Sequence, residues 1–114
     1  MNKQEEIIKQ YTQDFIKNTQ PEYTRVRQLL KEKKIDVSKI IVVESFSDDT
    51  NLLFFVILTN GNNIYQFDYD YLHGEKDEGN IISWKDLTID YLQTPYKESV
   101  LIGLKMIKDG FFEK

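Results

Sequence analysis

Between residues 51 and 72 the chain reads NLLFFVILTNGNNIYQFDYDYL, and its polarity changes rhythm halfway. Residues 52–58 are an unbroken apolar run. After Asn60-Gly61-Asn62 apolar and polar positions alternate, with Tyr65, Phe67, Tyr69 and Tyr71 on one parity and Gln66, Asp68 and Asp70 on the other. Period two is the mark of a half-buried strand, and a short continuous apolar run suits a strand covered on both faces. Asn-Gly between them supplies the positive φ that both central residues of a type I′ turn require. The pattern predicts a β-hairpin of residues 51–59 and 63–71.

The flanking segments follow their own rhythms. Residues 39–46 (KIIVVESF) are β-branched and apolar, a strand joined to the hairpin by the polar turn 47–50. Residues 3–18 carry Ile7, Ile8, Tyr11, Phe15 and Ile16 at the spacing of one helical face. A second helix is expected from Thr19 or Pro21, with Thr19 and Glu22 as a capping box and Tyr23, Val26, Leu29, Leu30 and Lys33 as its inner stripe. Residues 73–80 form a polar loop. Residues 81–84 suit a fourth strand, and 86–93, whose apolar positions fit both periods, are expected to be a short extension followed by a helical turn. Thr94-Pro95 reads as the start of a last helix that buries Tyr96, Val100, Leu101, Leu104 and Ile107. Gly110 is placed to end it in a left-handed conformation, with Phe111 folding back.

This order predicts a single α+β domain over residues 1–114, with two N-terminal helices, a three- to four-stranded antiparallel β-meander and a C-terminal helix, in two layers. Strand 51–59 belongs in the middle of the sheet. The alternating tyrosines and Phe67 are either core beneath the helices or the lining of an open face. As an alternative to a solid core, Tyr65, Phe67, Tyr69, Tyr71 and Trp84 would line an apolar pocket between sheet and helices.

Composition narrows the chemistry. With 114 residues the chain can bury one core. It has no cysteine, which excludes disulfides, thiolate zinc sites and a thiol nucleophile. The first ten residues lack the apolar stretch of a secretion signal, and the longest apolar run has seven residues where a membrane span needs about 20. A cytoplasmic protein is expected. Alanine is absent and arginine occurs only at Arg25 and Arg27, a bias of AT-rich genomes that points to a bacterial source.

Charge is divided along the chain. Residues 1–40 hold nine Lys/Arg and six Asp/Glu, a net of +3, and residues 41–114 hold six and thirteen, a net of −7. From Glu44 to Asp90 ten carboxylates stand against Lys76 and Lys85. Such a surface repels phosphates, so no nucleic acid is expected, and it favours solubility or a basic protein partner.

Sharper chemical motifs fail one by one. Asp68-x-Asp70 begins like a calcium loop, but His73 stands where that loop needs glycine and Gly79 where it needs a bidentate glutamate. His73, the single histidine, has no nucleophile at a recognised spacing. No phosphate-binding glycine motif occurs, and no cofactor or metal is expected. The basic stretch Arg25, Arg27, Lys31, Lys33 and Lys34 could touch nucleic acid, but the acidic neighbourhood of the aromatic strand opposes that, and Lys31–Lys34 suit a helix C-terminus. Trp84 is either a binding anchor or a rim of the core.

The sequence therefore predicts a small non-enzymatic binding protein, of an inhibitor or immunity type, acting as monomer or homodimer. Its partner-binding residues are expected to be Asp48, Asp49, Asp68, Asp70, Glu75, Asp77, Glu78 and Trp84. The alternative is a small-ligand-binding domain with an aromatic-lined pocket.

Overall fold

The computed structural model describes residues 3–47, 52–59, 63–70, 80–87 and 96–112; within 80–87 it describes the side chains of Trp84 and Asp86. Four strands, β1 (Ile40–Ser47), β2 (Leu52–Thr59), β3 (Ile64–Asp70) and β4 (Asn80–Leu87), form one antiparallel sheet in chain order. Around it lie α1 (Lys3–Lys17), α2 (Pro21–Glu32) and α3 (Tyr96–Lys108), with a 3₁₀ turn at Val37–Lys39 leading into β1. The α+β class, the element order and the meander are those the polarity pattern predicts. The turn residues Asn60-Gly61-Asn62 lie outside the described residues, but the Leu58–Ile64 pairing and a Thr59 N–H to Asn63 C=O bond of 3.0 Å close the hairpin around them.

Alternation along the strands assigns the faces. Leu53, Phe55 and Ile57 of β2 join one cluster with Phe15, Val26 and Leu30, while Val56 and Leu58 join another with Ile41, Val43, Val100 and Met106. Strand β2 is thus covered on both faces, as its apolar run requires; Leu53 and residues 55–58 are at most 5% exposed. The first face carries α2 and the end of α1. The second carries α3. Helices consequently pack on both sides of the sheet, one layer more than the expected two. The cause is β1 and β2, apolar on both parities and so unable to leave either face to water.

Two local devices set the approach of the helices. A Cβ on Gly103 would come within 2.6 Å of both Leu58 Cδ1 and Val43 Cγ1, so glycine lets α3 lie close against β1 and β2. This turns the helix on a Val100–Gly103–Met106 stripe, and Ser99 is buried with it. The expected stripe is corrected at Leu101, which is 48% exposed. The second device is Thr12 on α1. Its hydroxyl donates to Ile8 C=O at 2.8 Å and accepts from Val42 N–H at 2.9 Å, so α1 occupies the outer edge of β1. Ile8 packs in the α3-side cluster and Phe15 in the α2-side cluster, and α1 ties the two together. Ile7, expected on the buried face, is 40% exposed.

Helix ends differ in part from expectation. Gly110, at φ 93°, ends α3 as predicted, with Phe111 N–H on Met106 C=O and Gly110 N–H on Ile107 C=O. The same motif ends α2 at Lys34, a non-glycine at φ 66°, where Ile35 N–H reaches Leu30 C=O and the Ile35 side chain is buried. The Thr19–Glu22 capping box does not form. Pro21 is the first helical residue, which makes Gln20 the cap, and Asn18 Oδ1 accepts from Gln20 N–H instead. Arg27 Nη1 donates to Phe15 C=O at 2.7 Å, tying α2 to the last turn of α1.

Candidate acidic groove

An irregularity in β1 builds the site. Val42 pairs with Ile57 and Glu44 with Val56, leaving Val43 as an extra residue. Residues directly opposite across a sheet share a face. The bulge therefore shifts the parity of β1, so that Glu44 and Phe46 join Val43 on the α3 side. Glu44 Oε1 accepts from Ser99 Oγ of α3 at 2.6 Å. One row further along, Phe46 lies opposite Phe54, and Phe54 lies opposite Asp68 of β3. Three adjacent strands thus present Phe46, Phe54 and Asp68 side by side on one face.

Tyr96, the first residue of α3, closes the row from above, its ring 5.4 Å from Phe54 at 37°. Glu44, Phe46, Leu52, Phe54, Asp68 and Tyr96 enclose an open groove of about 370 Å³. Phe46 is 62% exposed at its rim, the most exposed of the large apolar side chains among the described residues. The groove offers rings and an aliphatic wall below, and carboxylates on two sides.

The residues expected from sequence divide into three groups. Asp68 lines the groove, and Asp70, opposite Leu52 and Asn80, lies on the same parity one pair further out. Asp48, Asp49, Glu75, Asp77 and Glu78 lie outside the described residues, as do Tyr71 and His73. Trp84 is on the other face. Its indole stacks on Tyr65 at 4.8 Å and Phe67 at 5.2 Å, and Lys33 Nζ lies 4.5 Å from the ring centroid. The structure does not bring it together with Asp68.

The remaining aromatic residues of that face also pack among themselves. Phe15, Tyr23, Phe55 and Phe67 are in ring contact, and Phe67 and Tyr69 are 0% and 1% exposed. These positions are core beneath the helices, so a ligand among them would have to displace a ring. Burial pushes the Tyr69 phenol above its ordinary value, with Arg25 opposing and Glu22 and Asp70 adding to the rise.

A second hollow of about 280 Å³ lies at the other end of the strands, lined by Lys34, Ile35, Asp36, Lys39, Thr59, Asn63 and Tyr65. Asp36 is already engaged there: Ser38 Oγ and N–H both donate to its carboxylate, which holds it below the usual range. Among the described residues no three His, Cys, Asp or Glu side chains gather as a metal site, and no helix is long and apolar enough to cross a membrane.

Sequence reading counted Glu44 in the acidic surface without placing it in the site, and missed Phe46, Leu52, Phe54 and Tyr96. Strict alternation from Ile40 would put Glu44 on the α2 side, and no residue type in KIIVVESF announces the bulge. No protein-family model matches the chain, and neither a curated protein nor a solved structure matches it.

Proposed function

We propose that the protein is a small non-enzymatic binding protein, of the inhibitor or immunity type, that meets a basic protein partner with the acidic end of its sheet. The observation that supports it is Phe46, 62% exposed beside Glu44 and Asp68. An apolar anchor with a charged rim is the usual anatomy of a protein interface. The net charge of −7 over residues 41–114 would steer such a partner and disfavour nucleic acid. The basic residues of α2 are in part committed within the fold, since Arg27 holds the end of α1 and Lys33 covers Trp84. A cytoplasmic, bacterial setting suits the absence of cysteine and the composition.

Affinity capture from bacterial lysate tests the reading, using the native chain beside a variant with Asp68, Asp70, Glu75 and Asp77 all changed to lysine. The expected result is a basic protein retained by native bait, released by moderate salt and lost with a folded variant. Retention of the same partner by both baits would overturn the proposal. A small-ligand function is the second reading, favoured by the groove volume, which falls in the range of about 300–1,000 Å³ typical of ligand pockets. A thermal-shift screen addresses it.

A further inference from the structure

We infer that the groove is the seat of one arginine side chain of the protein partner. This rests on the binding reading above and adds the chemistry of the contact. Glu44 on β1 and Asp68 on β3 stand on either side of β2, and Phe54 of β2 with Tyr96 of α3 lies between them. A ligand held here must offer positive charge to two walls and a flat surface to the rings. Guanidinium does both: its five donors lie in a rigid plane, and that plane stacks on aromatic faces. A lysine ammonium is a compact, strongly hydrated point charge and meets only the first demand.

Both carboxylates line the groove. Glu44 is anchored through Oε1 by Ser99, which fixes its direction, and a carboxylate bound at one oxygen can still accept at the other. Asp68 has an interaction of its own within the fold, and an ionised carboxylate, with about four acceptor positions, can serve more than one donor. Leu52 and Phe46 supply apolar surface for the methylene stem of an arginine. The groove is too small for a folded segment and open at its rim, as insertion of a single side chain from another protein requires.

The test is a nuclear magnetic resonance titration of the full chain with N-acetyl-arginine methylamide, compared with the lysine analogue and with the uncharged citrulline analogue. The expected result is a saturable, millimolar interaction, with shifts at Phe46, Leu52, Phe54 and Tyr96. Lysine should bind about tenfold more weakly, and citrulline should give no saturable shift. D68N and E44Q should each weaken the arginine analogue by about tenfold, the loss of one charge-assisted hydrogen bond. D109N, in a separate hollow, should change nothing. Having both D68N and E44Q keeps the test decisive if one of them fails to fold. Equal binding of citrulline, shifts centred elsewhere, no saturable shift, or arginine binding indifferent to both substitutions would overturn the inference. Partner capture that is lost on charge reversal, with no arginine effect, would leave the binding reading standing and remove the arginine seat alone. An arginine effect with capture unaffected by charge reversal would remove both.

Discussion

The two faces of the sheet differ in how far their helices cover them. On the α2 side, rings run without a break from Phe15 and Tyr23 through Phe55 and Phe67 to Trp84. On the α3 side, coverage is tight where Gly103 meets Val43 and Leu58, and among the described residues it ends where α3 begins, at Tyr96. The difference comes from β3, since β1 and β2 supply apolar residues to both faces. Towards α2, β3 contributes Tyr65, Phe67 and Tyr69; towards α3, it contributes Ile64, Gln66, Asp68 and Asp70. A helix gains nothing by covering carboxylates, whose burial without partners is costly. So α3 keeps to the β1–β2 half, and a groove with one exposed phenylalanine remains.

On this comparison stability resides in the closed face and in the edge closure by α1, and the open end is where the proposed partner would bind. Phe55→Ala should give the largest loss, about 4 kcal/mol, because it removes the ring at the centre of the α2-side cluster. Urea unfolding checks it, and a cost near that of a surface substitution would mean that the ring succession is not what holds this face. Thr12→Val conserves shape but leaves Val42 N–H buried without its acceptor. The expected cost is about 2 kcal/mol, with reduced hydrogen-exchange protection at the Val42 amide. Unchanged protection would show that α1 does not seal the edge through this bond.

Gly103→Ala sets a better helix former against overpacking on Val43 and Leu58, and overpacking should prevail by about 1 kcal/mol. A stabilised variant would show that α3 is free to lift, and that the α3-side contact is looser than its geometry. Smaller still is an alkaline effect at Tyr69. Its folded-state phenol keeps its proton to higher pH than in the unfolded chain. The stability it lends is complete below about pH 10, the unfolded value, and is lost as pH rises through the folded value. Tyr69→Phe should flatten that limb in melts across the alkaline range, whereas an unaltered limb would assign it to other groups. The least effect on stability belongs to Phe46→Ser, within about 0.5 kcal/mol, because its ring is largely in water already. Partner capture should nevertheless fall. A large loss of stability in this variant would mean that the open end is structural after all.

The sequence alone determined the element order, the hairpin, the meander and the C-terminal end of α3, since these follow from local polarity and backbone preference, while Thr94-Pro95, expected to start that helix, lies outside the described residues. Period-two alternation in residues 63–71 and the apolar run in 52–58 are legible because side-chain direction in a strand is fixed by parity. The place of Asp68 on a polar face was legible for the same reason, and so was the acidity of the region around it. Tertiary structure alone decided that helices lie on both faces, because an apolar stripe does not state which surface will cover it. It decided which stripe of α3 is inward, through the approach that Gly103 allows to Val43 and Leu58. It put Trp84 in the closed face beneath Lys33, away from the carboxylates. It also brought Glu44 to the groove: one extra residue in β1 inverts the parity of every residue after it, and that residue is set by pairing with β2 across the sheet rather than by the chain's own pattern.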